Sequence, residues 1–125
     1  MRMQYHFRNS AEGLRAWSVQ RLVELSNGLE RDRIPLSSIR ELDEAYWCSA
    51  SSQKLTCRNV VEHARLMQDC DLAFPVILSS DGRVMDGMHR ICKALLLGFD
   101  HIEAVRFKQD PQPDFIGVDP DDLPY

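Results

Sequence analysis

The sequence predicts a single α+β domain, a small mixed sheet with helices packed on it. Three observations carry this. Apolar residues at helical spacing mark three amphipathic stretches, 18–28, 56–70 and 87–98. Short apolar runs at 33–36, 74–78, 84–85 and 102–107 read as strands between and beyond them. With 44% hydrophobic residues among 125, the chain can fill one core but hardly two.

Residues 1–17 leave two readings open. Tyr5 and Phe7 alternate with polar neighbours as a strand does, while Leu14 and Trp17 have helical spacing. Ser18 is a good helix cap, Val19, Leu22, Val23 and Ser26 form one face, and Gly28 is placed to end the helix in a left-handed turn. Arg33-Ile34-Pro35-Leu36 reads as a strand that Pro35 confines to an edge or an end. Ser37 or Ser38 starts a short helix through Ile39 and Leu42, and 46–55 is a polar loop. Thr56 caps the next helix, whose face is Cys57, Val60, Val61, Ala64 and Met67 and which ends near Asp69–Asp71. Phe74–Leu78 is a buried strand, Ser79–Gly82 a turn, and Val84-Met85 a second short strand. A helix with Met88, Ile91, Cys92 and Leu95 inward runs from Gly87 to Gly98, and Ile102–Phe107 is the last strand.

Charge is unevenly placed. Residues 109–125 hold five acids, four prolines and no Lys or Arg, whereas 1–108 carry all 15 basic residues and come out near +1. The domain is therefore expected at 1–108, with an acidic, extended tail at 109–125 that either docks through Phe115, Ile116, Val118, Leu123 and Tyr125 or is disordered. A body near neutrality lacks the field of a non-specific DNA binder. Four cysteines without a CxxC pair argue against a zinc ribbon or a disulfide scaffold, and no metal site is expected. No apolar run is long enough to span a bilayer, and the N-terminus lacks the pattern of a signal peptide. A cytoplasmic protein without a membrane partner is the expectation.

The chemistry concentrates at Asp86-Gly87-Met88-His89-Arg90, where a strand end meets a helix start. The first amides of a helix have no internal partner and carry the positive end of its dipole. Gly87 allows a ligand close to the backbone, and His89 and Arg90 add donors, so the turn suits a phosphate. Spacing alone leaves a second reading, in which Asp86 caps the helix and pairs with Arg90 four residues on.

Residues 33–107 resemble the ParB/sulfiredoxin superfamily. The likeness rests on Phe74-Pro75-Val76-Ile77-Leu78, Asp81-Gly82, Asp86-Gly87-Met88-His89-Arg90, Ala94, Gly98 and the final strand, with Ile34-Pro35-Leu36-Ser37-Ser38-Ile39 resembling the family's opening strand and turn. The resemblance implies a nucleotide held by its phosphates at Gly87, Met88, His89 and Arg90: CTP as in ParB proteins, or ATP or ADP as in sulfiredoxins and free-serine kinases, together with Mg²⁺. Sulfiredoxins have G-C-H-R, and Met88 stands here at the position of that cysteine; a thioether forms no thiolate, so sulfiredoxin activity is not expected. ParB partition proteins have G-E-R-R and a helix-turn-helix domain. This chain matches neither, so specific DNA binding is not expected.

The D-G-x-H-R form is nearer the small-molecule kinase branch, in which an acid after the opening strand is the base. Glu41, Asp43 and Glu44 are the candidates, beside Asp86, which orients the turn, meets a nucleotide-bound Mg²⁺ or acts on a substrate hydroxyl. The expected function is thus a nucleotide- or phosphate-binding domain, either an ATP- or ADP-dependent phosphotransferase or NTPase acting on a small hydroxyl compound, or a non-catalytic nucleotide-sensing or protein-interaction module. Two further features carry open readings. Tyr46 and Trp47 stack on a ligand or anchor their loop. His63 and Cys70, seven apart on one helix, share a ligand or belong to core and surface.

Overall fold

A computed structural model describes residues 4–48 and 55–125, without the Cys48 side chain. Two strands, β1 (Tyr5–Ser10) and β2 (Gly13–Ser18), form an antiparallel hairpin that leads straight into helix α1 (Val19–Ser26). Leu14 and Trp17, whose spacing also suited a helix, therefore lie on a strand. Ser18 caps α1 by accepting a hydrogen bond from the Arg21 amide. The helix ends at Asn27 in a right-handed conformation, so Gly28 does not take the left-handed cap its position suggested.

The second sheet holds the core. Its order is β3 (Asp32–Pro35), β6 (His101–Arg106), β4 (Val76–Leu78) and β5 (Val84–Asp86). β6 runs antiparallel to β3 and parallel to β4, and β5 closes antiparallel on β4. Pro35 sits at the end of the edge strand, where no ladder donor is lost. The run Val76-Ile77-Leu78 is apolar throughout because both faces of this sheet are covered. Val76 and Leu78 pack with Val84, Met88, Ile91, Ala94, Ile102 and Ala104 on the side of helix α3 (Met88–Leu96). Ile77 packs with Trp17, Leu22, Met85, Val105 and Phe107 on the side of α1. Phe74, expected within the buried strand, stays outside it and is exposed.

Single 3₁₀ turns at Leu36–Ser38 and Arg40–Asp43 replace the short helix expected after β3, and a third spans Tyr46–Cys48. Helix α2 (Cys57–Asp69) begins with a capping box between Thr56 and Asn59. None of its side chains is fully buried, and Val60 and Val61, expected inward, are about half exposed. The half-buried line is Asn59, His63 and Met67, because α2 packs chiefly on α3 rather than on the sheet. Leu95, at the end of α3, is likewise exposed, and Ala94 takes the inward place.

The acidic tail docks. Its strand β7 (Phe115–Ile116) adds to β2, and Asp114 accepts from the Ser18 amide and from Arg21. The Trp17 indole donates to the Pro111 carbonyl at 2.8 Å, and Leu123 is buried. The tail thus completes the first sheet instead of leaving the body at residue 108. Among the described residues no helix is long and apolar enough to cross a membrane.

His6 on β1 ties this sheet to pH. Burial, with Arg8 adding repulsion, lowers its pKa from 6.5 to about 4. The unfolded chain takes a proton there as pH falls below 6.5 and the native chain does not until about 4. Stability is therefore expected to drop across that window, by up to about 1.4 kcal/mol per pH unit from this group. Urea unfolding of the parent and of His6→Gln at pH 7 and pH 5 checks this; an equal loss in both proteins contradicts it.

Candidate functional site

The turn from β5 into α3 is built on Gly87. Its φ of +109° belongs to the left-handed region. A Cβ there would stand 2.9 Å from the Arg90 Nη2 and 3.1 Å from the Val76 Cγ2. Because glycine occupies the capping position, no side chain caps α3. The first amides of the helix are left to solvent or a ligand.

Asp86 and Arg90 close on each other across this turn at 2.8 Å, four residues apart. Both are largely sheltered. Burial pushes the Asp86 carboxyl above its ordinary value, and the Arg90 guanidinium and the Gly87 amide offset this only in part. The pair separates two clefts. One, of about 290 Å³, lies between α2 and α3 and is lined by Leu66, Asp69, Cys70, Gly87 and His89 besides the pair itself. The other, of about 250 Å³, is bounded by α1, Phe74, Pro75 and Val105.

His89 does not turn toward Arg90. Its Nε2 lies 2.8 Å from the Nδ1 of His63 on α2, and the two rings are tilted by only 21°. Trp47 lies over both, with ring centroids at 4.2 Å from His63 and 4.8 Å from His89 and tilts of 21° and 20°. Three residues from three elements thus form one stack. Burial first, and His63 second, hold the His89 pKa below its ordinary value.

The other predicted acids are placed differently. Glu41 is buried at 3% exposure; one oxygen accepts from the Val84 amide at 2.7 Å and lies 3.5 Å from the Arg83 Nε, and the other has no partner. Glu44 holds Arg83 through two contacts of 2.6 and 3.0 Å, which lower its pKa. Asp43 is exposed on the wall of a separate cleft beside Leu95 and Phe99. Tyr46 links the regions electrostatically: burial, then Glu41 and Asp86, raise its pKa. Of the four acids, then, only Asp86 lines the cleft at the turn. The Met88 side chain enters the core, so this residue can meet a ligand only through its backbone.

Three contributors were not assigned from the sequence. The helical spacing pairs His63 with Cys70 and gives no link to His89. No sequence signal marks Asp69 or Lys93; Lys93 donates to the Gln68 and Cys70 carbonyls at the end of α2. Of the polar loop expected at 46–55, the Cys48 side chain and residues 49–54 lie outside the described residues.

No protein-family model matches this sequence, and no curated protein or solved structure matches it. The assignment of function therefore rests on the site.

Gly87→Ala combines left-handed strain with the two close contacts. It is expected to cost about 2 kcal/mol or more. Chemical denaturation measures this, and a loss below about 0.5 kcal/mol would show the turn to be permissive.

Proposed function

We propose that this chain is a nucleotide- or phosphate-binding domain of the ParB/sulfiredoxin type, and that phosphates bind in the cleft between α2 and α3. The observation that carries this reading is the uncapped start of α3, opening beside Arg90 in a cleft of about 290 Å³. That volume is near the lower end for ligand pockets and suits phosphates with a small organic group. The strand–Gly–helix turn on a mixed sheet supports the same family reading.

Met88 and His89 offer backbone amides, Gly87 one that it shares with the Asp86 carboxyl, and Arg90 a guanidinium. Asp69 and Asp86 line the same cleft, and their charge opposes a bare polyphosphate. Among the described residues no three His, Cys, Asp or Glu side chains converge to hold a metal of their own. Mg²⁺ fits this site as part of a nucleotide complex, where it would offset phosphate charge next to Asp86 and Asp69. In a phosphotransferase or NTPase, Asp86 is the carboxylate placed to act on a hydroxyl of a small substrate. A non-catalytic sensing or interaction module is the second reading. It is favoured by the way Arg83 occupies Glu44 and flanks Glu41 while Arg90 occupies Asp86.

Calorimetry of the full chain with ADP, ATP and CTP, with and without Mg²⁺, tests the binding. Arg90→Ala is expected to weaken it by about 1.5–3 kcal/mol, the range for a charge-assisted contact. Equal affinity in parent and variant overturns the assignment.

Specific DNA binding is not part of this function. Gel shifts at physiological salt are expected to show complexes no tighter than about 10⁻⁴ M. A sequence-specific nanomolar complex contradicts the reading.

A further inference from the structure

The His63–His89 contact sets a strict condition on protons. A centroid separation of 5.1 Å with nitrogens 2.8 Å apart leaves only the two ring radii, so both nitrogens lie near the line joining the centroids. That is an in-line N–H···N hydrogen bond. A zinc ion between in-line nitrogens would need about 4 Å, from two Zn–N bonds of about 2.0–2.1 Å. One ring must donate and the other accept. A first extra proton leaves an imidazolium donating to a neutral ring and keeps the bond. A second puts N–H against N–H and breaks it.

The surroundings decide where that proton stands. His89 lines the cleft and His63 does not. From β5 and α3, Asp86 and Arg90 are closed on each other at 2.8 Å. From α2 come Asp69 and Cys70 on the cleft wall, and Lys93 is turned to the carbonyls at the end of that helix. Trp47 covers one face of both rings, and Tyr46 beside it is neutral. No carboxylate contacts the pair directly among the described residues. A dianion placed at the start of α3 would supply the negative charge that the pair lacks.

We propose that His63 and His89 form a proton-sharing dyad that serves as the acid–base group of the cleft, taking up one proton when a phosphate dianion binds beside His89. The uptake rests on the phosphate reading above. The proton comes from the solvent, and no covalent bond of the ligand changes. His89 is the member that meets the ligand, and His63 is a positioning residue that fixes its tautomer. Trp47 holds both rings in register and keeps water from one face.

Histidine ring resonances of the ¹⁵N-labelled full chain, followed by NMR from pH 5 to 8.5, test this. Without ligand, the two rings are expected to titrate together, taking up one proton between them. His63→Phe keeps a ring under Trp47 and removes the nitrogens; it is expected to shift the His89 midpoint and tautomer. A His89 titration unchanged in this variant overturns the dyad. Inorganic phosphate is the probe for the second arm, with binding read from the amides of Gly87–His89. Binding is expected to raise the dyad midpoint by about one pH unit. Perturbed amides with an unmoved midpoint overturn the acid–base assignment and leave the phosphate site standing. Unperturbed amides overturn the phosphate reading and the uptake with it, while coupled titration would still uphold the pair.

Discussion

The left-handed backbone at Gly87 is the constraint on which the site depends. It turns the chain off β5, on the well-packed central sheet, and starts α3 with Met88 pointing into the core. That rotation brings Arg90 back over the turn to Asp86 and leaves His89 on the side facing α2. The three neighbours have separate roles because consecutive residues on a helix face different directions. A Cβ there would stand 2.9 Å from the flexible end of Arg90, which can shift, so glycine is required chiefly by φ.

The acids around this turn do structural work before any chemical work. Glu41 and Glu44 both meet Arg83, and Glu41 also accepts from the Val84 amide, so the segment after β3 is fastened to the start of β5. A buried carboxylate is costly unless its oxygens are satisfied. Glu41 has one oxygen satisfied and one not. Its charge is felt by Tyr46, and Tyr46 leads directly into Trp47. The fastening of β5 and the position of the indole over the histidines are therefore set by one short stretch of chain.

Much of this was legible in the sequence, and what was not has physical causes. The Asp86–Arg90 turn, the Thr56 cap and the inward positions of Met88 and Ile91 follow from local rules, which depend on residues three or four apart. Both readings offered for Asp86 and Arg90 involve the same atoms, and their mutual contact is the one the structure displays. The face of α2 was misread because periodicity identifies an apolar stripe but not what will cover it. Here Val60 and Val61 have no sheet beneath them, and a histidine takes the contact. The hairpin at 5–18 pairs locally, from Ser10 with Gly13 to Tyr5 with Ser18, but the strand that covers its other edge, β7, lies about a hundred residues on, where no local pattern points. The His63–His89 bond spans 26 residues and two helices, and no spacing rule encodes it.

The way α2 is held explains why a polar contact can matter so much here. With no fully buried side chain, the helix has little hydrophobic anchoring of its own. Its attachment to α3 includes the imidazole pair under Trp47, and Lys93 donating to the Gln68 and Cys70 carbonyls. The lysine satisfies carbonyls that a helix end leaves open, and its charge suits the negative end of the dipole. Segments with few buried apolar contacts open at the low end of a protein's stability range. The cleft lies between this weakly anchored helix and the firmly packed α3, so one wall is rigid and the other is held by hydrogen bonds. A second proton on the His63–His89 pair would break one of the contacts that keep the second wall in place, whereas the first leaves it intact.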